Sequence, residues 1–400
     1  MRILQLCYKP PFPPVDGGTL AINSVTQGLL QAECSVKVLT VATDKHPCDM
    51  ARIPDDYKQA TQIESVYIDT RIKVFSALAA LLSGTSYHVQ RYESSEMKAK
   101  LVSALSAQQF DIVHVESIFL TPYLPIIRKY SQAKVVLRAH NVEHLIWRQL
   151  SSGEKNPLRK WYLRHLALTL EVYERSHINQ YDGVICITPN DVVKYCEMGC
   201  TRPIVSIPFA IEHEPISDVV EEPNSLFHIG SMDWKPNIEA INWFLSRVWP
   251  LVHQELPALK LYLAGRSMPN SLCKSKTDGV IIVGEVDDAR RFISSKQINI
   301  VPLLSGGGIR VKILEAMSAG KVVIATSVAA RGINYTDGQN ILIADTPDDF
   351  LRQLKLCVTN PSLVSEIGRN AAKLIDDEYS LTFQTNKIVD FYKQLLGSNH

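Results

Sequence analysis

The chain has 400 residues, of which 46% are hydrophobic and 21% charged, and its net charge is +1. That length exceeds what one hydrophobic core usually serves and predicts two domains. With a net charge near zero, no strong overall field argues for nucleic acid or for an anionic membrane as a partner.

The N-terminal stretch MRILQLCYKPPFPP carries an apolar run too short for a signal peptide and reads as a first strand at 3–7. No run approaches the roughly 18 apolar residues of a membrane span. Eight cysteines are scattered without a C-x-x-C pair, and Cys7 and Cys186 sit within apolar runs. They read as buried free thiols, which points to a reducing, cytoplasmic compartment. Pro13-Pro-Val-Asp-Gly-Gly-Thr19 follows the first strand and precedes a helix pattern through Leu20, Val25 and Leu29. Gly17 and Gly18 there can bring backbone amides to a ligand at a helix start, or form a plain loop.

Further strand-like runs lie at 36–42, 112–115, 135–138, 183–187 and 204–207. A second series follows at 225–229, 259–264, 280–283, 298–303 and 322–325. Runs with little polar alternation, separated by helix-length segments, predict two doubly wound parallel sheets, each covered on both faces. The charged, proline-bearing segment 208–215 is the best linker, which gives domains at 1–210 and 211–380 followed by a helix at 381–400. Segment 156–181 reads as one long helix with Arg159, Lys160, Trp161, Tyr162, Arg164 and His165 near its start. That mixture fits a weak peripheral membrane contact. The preferred reading is an amphipathic helix with its aromatics in the core and its charges in water.

Between 298 and 333 the chain reads INIVPLLSGGGIRVKILEAMSAGKVVIATSVAARGI. A β-branched run feeds Gly306, Gly307 and Gly308; a helix pattern then carries Arg310, Lys312 and Glu315 and stops at Gly320. Glycines let amides approach an anion, the helix start adds partial positive charge, and Arg310 and Lys312 add full charges. Glu315, further along, offers two acceptor oxygens that suit a ribose diol. The pattern predicts a nucleotide-diphosphate ligand.

These residues resemble the retaining glycosyltransferases of the GT-B fold, most closely family 4, also called group 1. The likeness is strongest over 302–317 and continues at Gly320 and Thr326, at 227–237 (FHIGSMDWKPN) and at Gly338-Gln-Asn340. The fold the resemblance implies is two Rossmann-like domains facing each other across a cleft, with a last helix that returns to the first domain. It implies hexosyl transfer from a nucleotide-diphosphate sugar to a glycan, lipid-linked or small-molecule acceptor, in polysaccharide or glycoconjugate synthesis, at or near the inner face of the membrane. It also implies no metal and no cofactor beyond the sugar nucleotide. In that likeness Glu315 binds the ribose, Arg310 and Lys312 the diphosphate, and the loop 306–309, ending in Ile309, the donor. Gly17 and Gly18 approach the donor or acceptor, and His140 lies beside the transferred sugar. Two positions depart from the family pattern: glycine stands at 307 where many members have a first glutamate, and Ser231 stands where many have arginine.

Other readings remain open at this point. His140-Asn-Val-Glu-His144 matches the H-x-x-E-H zinc-protease pattern, which needs both histidines on one helical face. A nucleotide-sugar epimerase, a phosphorylase or a silent binding module would also suit the fold.

Overall fold

The computed structural model describes residues 1–71, 85–211, 216, 218–273, 277–306 and 308–397. Gly307, the second half of the expected linker (212–215) and the end of the expected C-terminal helix (398–400) lie outside the described residues. The chain divides into two compact units, Met1–Ala210 with Leu381–His400, and Ile211–Ser380.

The first unit is built on β1 (Arg2–Cys7), β2 (Ser35–Ala42), β3 (Glu64–Tyr67), β4 (Ile112–Glu116), β5 (Lys134–Ala139), β6 (Gly183–Cys186) and β7 (Ile204–Ser206). They form one parallel sheet in the order β3-β2-β1-β4-β5-β6-β7. Alternate residues of β1 serve opposite faces: Leu4 and Leu6 pack with Leu39, Val41, Val113 and Val115, while Ile3 and Cys7 pack with Val36 and Val38. The second face is covered by α1 (Gly17–Gln31) through Ile22, Val25 and Leu29. Downstream come α2 (Glu143–Gly153) and α3 (Pro157–His177), which pack against each other.

The second unit is built on β8 (Ser225–Ile229), β9 (Lys260–Ala264), β10 (Val280–Gly284), β11 (Ile298–Val301), β12 (Val322–Ala325) and β13 (Leu342–Ile343). These are parallel in the order β10-β9-β8-β11-β12-β13. Here α4 (Lys235–Trp243) follows β8, and α5 (Val311–Ser318) joins β11 to β12. The chain then re-enters the first unit as α6 (Leu381–Gly397), which buries Ile388, Phe391, Tyr392 and Leu395 on the α1 face of the first sheet. Gly28 of α1 permits that docking, because a Cβ there would stand 1.9 Å from Thr385 Oγ1.

Two doubly wound parallel sheets are the architecture the strand runs imply. Several local expectations are corrected. β3 and β13 escaped the apolar pattern: β3 opens with Glu64 and Ser65, and β13 is two residues long. The expected helix 156–181 is α3, capped by the Asn156 side chain and ended at His177 before a short 3₁₀ turn. Its aromatics are not core, since Trp161 is 58% exposed. Gly17 and Gly18 are not a loop; they form the first turn of α1, with Asp16 as its N-cap. Cys196 and Cys273 are exposed rather than buried.

Candidate active site

In an open parallel sheet, ligands gather beyond the C-terminal strand ends where the order reverses. That point falls between β8 and β11 in the second unit and between β1 and β4 in the first. Each unit holds a polar constellation there.

In the second unit, β8 runs into Gly230 and β11 into the loop at 302–310. Helix α5 begins at Val311, so Arg310 is its N-cap rather than a member of it. Arg310 is 6% exposed, with its guanidinium 5.2 Å from the centre of the Trp234 ring. Burial, and then Arg331, lower its pKa to about 10. Gly306 lies beneath both groups at φ +111°: a Cβ would come within 2.9 Å of the guanidinium and 3.0 Å of the Trp234 ring. Gly308 also has positive φ and is exposed, and Ile309 is buried. The place of Gly307 lies outside the described residues.

Lys312, in the first turn of α5, reaches back to β8. Its Nζ donates to Asn237 Oδ1 at 2.8 Å and lies 3.2 Å from His228 Nε2. The tautomer of His228 follows from its other nitrogen: Nδ1 faces the Ile300 carbonyl at 2.9 Å and must donate, so Nε2 accepts from the lysine. Burial, and then Arg310, push the Lys312 ammonium down to about 7. Burial and Lys312 likewise hold His228 well below its ordinary value. Gly230 makes this possible, because a Cβ would sit 2.4 Å from Lys312 Nζ. Glu315, one turn along α5, is half-buried; desolvation raises its carboxyl, against the lowering fields of Arg290 and Lys312. Among the expected residues of this unit, Arg310, Lys312, Gly306 and Glu315 thus share one strand-end region. Ser231, in place of the family's arginine, donates to Asp233 at 2.7 Å.

In the first unit, His140 follows β5 and turns Nε2 toward Glu116 Oε2 at 2.8 Å. Glu116 ends β4 fully buried. A carboxylate only accepts, so His140 Nε2 carries the proton and Nδ1 is left as an acceptor. Glu116 Oε1 also accepts from Gln5 Nε2 at 3.0 Å and from His114 Nε2 at 3.1 Å, while Tyr392 of α6 donates to His114 Nδ1. The buried Arg138 guanidinium lies 3.5 Å from Glu116 and donates to the Ala21 carbonyl at 2.8 Å. Burial alone would raise Glu116, yet Arg138, His114 and His140 hold its carboxyl well below the usual range. His140 is itself lowered, chiefly by burial. At the start of α1, Lys9 Nζ pairs with Asp16 at 2.8 Å, and a Cβ on Gly18 would strike that ammonium at 2.3 Å. His46 donates to the other Asp16 oxygen at 2.9 Å.

Glu116, Lys9, His228 and Asn237 are members of these constellations that sequence reasoning missed. A signal for Glu116 existed: His114 and Glu116 are ionisable residues at alternate positions of an otherwise apolar strand. The zinc-protease reading fails on geometry. His140 is tied to Glu116, whereas His144, on α2, is tied to Glu174 at 2.6 Å, so the two rings serve different carboxylates.

Residues 223–360, most of the second unit, match the family model described as Glycosyl transferases group 1. A protein from the cps region of Klebsiella pneumoniae, of 44.6 kDa, is 24% identical over 284 residues, 68% of this chain and 71% of its own. Anabaena HepE, solved in complex with UDP and also with UDP-glucose, covers 98% of this chain and 100% of its own. In its UDP complex it is 13% identical with a TM-score of 0.67. Sucrose-phosphate synthase from Thermosynechococcus elongatus is 15% identical with a TM-score of 0.69 and covers 100% of both chains. The fold is GT-B.

Proposed function

We propose that the protein is a retaining glycosyltransferase that moves a hexosyl group from a nucleotide-diphosphate sugar to a glycan or lipid-linked acceptor in polysaccharide synthesis. The observation that carries this reading is the strand-end cluster of the second unit. Two cations, the buried Arg310 and the half-buried Lys312, stand at the start of α5, and Glu315 follows one turn on. The cps-region relative and the sugar nucleotide bound by HepE support the pathway and the donor class.

Glycosyl transfer breaks the bond between the anomeric carbon and the diphosphate, and negative charge develops on the departing oxygen. Cations already desolvated and fixed stabilise that charge without reorganising. In the proposal Lys312, held by Asn237 and His228, and Arg310, held over Trp234, perform this, with amides of the loop 306–309. Since the protein supplies these charges itself, the reaction needs no metal. Glu315 accepts the ribose hydroxyls. In the first unit, His140 orients sugar and acceptor with its hydrogen bond to Glu116, and the Gly17–Gly18 turn beside Lys9 receives an anionic group. The acceptor proton leaves with the phosphate oxygen, so no side-chain nucleophile is assigned.

The test is a thermal-shift screen of UDP, GDP, dTDP and ADP with their sugars. One nucleotide should raise Tm, and Glu315→Gln should weaken that shift. Arg310→Ala should lower kcat about 10²- to 10³-fold with its Tm near wild type. Failure of every nucleotide to shift Tm, or unchanged turnover in both variants, would remove the proposal.

A further inference from the structure

Tyr392 belongs to the last helix of the chain, yet its hydroxyl ends in the polar group around Glu116. It donates to His114 Nδ1 at 2.5 Å, across 278 residues of sequence. Tyr392, His114, Glu116, Gln5 and Arg138 are all fully buried. Ile388, Phe391 and Leu395 already dock α6 through apolar contacts, so docking alone does not call for a hydroxyl there.

The protons of this group have one consistent arrangement. Although burial opposes it, Arg138, His114 and His140 keep Glu116 ionised, so its oxygens only accept. His114 and His140 therefore both direct an Nε2–H at it, at 3.1 and 2.8 Å. Gln5 adds a third donor at 3.0 Å, its amide oriented by the Thr26 hydroxyl, which donates to Gln5 Oε1 at 2.7 Å. Each histidine is then left with one lone pair, on Nδ1. On His114 that pair is covered by Tyr392, and burial, followed by Glu116, holds the tyrosine hydroxyl well above its ordinary value, so it keeps the proton it donates. On His140, whose side chain is 11% exposed against 0% for His114, the pair is left for a ligand.

One carboxylate thus faces two imidazoles that compete for any extra proton its charge stabilises. A proton on His114 Nδ1 would make that ring an imidazolium, neutralise Glu116 and weaken its hold on His140. The Tyr392 hydrogen bond closes that route, because Nδ1 cannot take a proton without losing the bond. The other ionisable groups facing this core are Arg138 on β5 and the thiols of Cys7 and Cys34, which burial keeps protonated. Arg138 and Lys9 act on His140. Tyr8 sets its ring edge to that histidine at 5.9 Å.

We infer that Tyr392 is a positioning residue for His140: its bond to His114 reserves the Glu116 carboxylate for His140 and fixes that ring with Nδ1 open to sugar or acceptor. This rests on the reading of His140 as the group that orients them. The helix that returns from the second unit then sets the chemistry of the first as well as closing its core.

The test is nitrogen NMR of the histidine-labelled full chain, the two rings assigned with His114→Gln and His140→Gln, alongside kcat and KM. Wild type should show both rings protonated at Nε2 and unprotonated at Nδ1 near neutral pH. In Tyr392→Phe, His114 should gain a proton at Nδ1, and the His140 Nε2–H signal should move as its bond to Glu116 weakens. Its kcat should fall about tenfold, the worth of one hydrogen bond, with the donor KM unchanged. Adding His114→Gln should restore most of that loss, because an amide donates to Glu116 but cannot take the extra proton. A merely structural Tyr392 predicts the reverse, since the second substitution would then deepen the first. An Nδ1 proton on His114 in wild type would overturn the inference whether or not the variants fold. So would an unchanged His114 spectrum in Tyr392→Phe, or a double variant no more active than the single one. The spectra need no turnover and the nucleotide-induced Tm shift reports on the second unit, which separates failure here from failure of the donor assignment.

Discussion

Lys312 is an ammonium kept close to losing its proton, with a pKa of about 7. A bound diphosphate raises that pKa by placing negative charge beside it, so binding takes up a proton whenever the free lysine is neutral. Affinity is therefore greatest below the free pKa and falls as pH rises above about 7, a range in which the ligand's own phosphates are already ionised. Titration calorimetry with the responding nucleoside diphosphate should show weaker binding at about pH 9 than at about pH 7. Lys312→Arg should flatten that slope. At the other constellation, Arg138, His114 and His140 all face the Glu116 carboxylate, and all four groups have little or no exposure. Glu116→Gln leaves the guanidinium without its counter-charge and should cost about 3–5 kcal/mol of stability. Chemical denaturation measures this, and a loss below about 1 kcal/mol would show that the pairing carries little.

At the scale of elements, the ends of β8 and β9 show how backbone contact positions the candidate site. Gly265 follows β9 at φ +139°, and a Cβ there would lie 1.9 Å from the Gly230 carbonyl oxygen. Backbone cannot swing aside as a side chain does, so Gly265→Ala should displace Gly230 and with it the seat of Lys312. The expected loss is about 2–4 kcal/mol together with weaker nucleotide binding, read by denaturation and by thermal shift. The same scale decides what the sequence made legible. Runs such as those of β2 and β11 could be read because both faces of a parallel strand are buried, which leaves a continuous apolar signal. β3 lies at the sheet edge with half its residues only partly buried, and no such run marks it. The glycine loop, Arg310, Lys312 and Glu315 could be picked out because they are neighbours in sequence. Their partners His228 and Asn237 arrive from a strand and a helix some 75 residues or more away, and only pairing of β8 with β11 joins them. Trp161 misled because amphipathic spacing is the same for a buried stripe and for an exposed one.

For the whole molecule, the chain leaves the first unit at Ala210 and returns to it at Leu381. Truncation after Ser380 would strip Ile388, Phe391, Tyr392 and Leu395 from the first unit's core and break the contact between Tyr392 and His114. Hydrogen exchange on that variant should show α1 and the first sheet losing protection, while the second unit keeps its protection and its nucleotide-induced shift. Equal loss in both units would mean that they do not fold separately. Because synthesis proceeds from the N-terminus, a ribosome finishes the second unit before it releases the helix that seals the first. The nascent chain thus carries a finished module downstream of one whose apolar α1 face stays open until Leu381–Gly397 emerges. Chaperone capture during translation should fall on that open face.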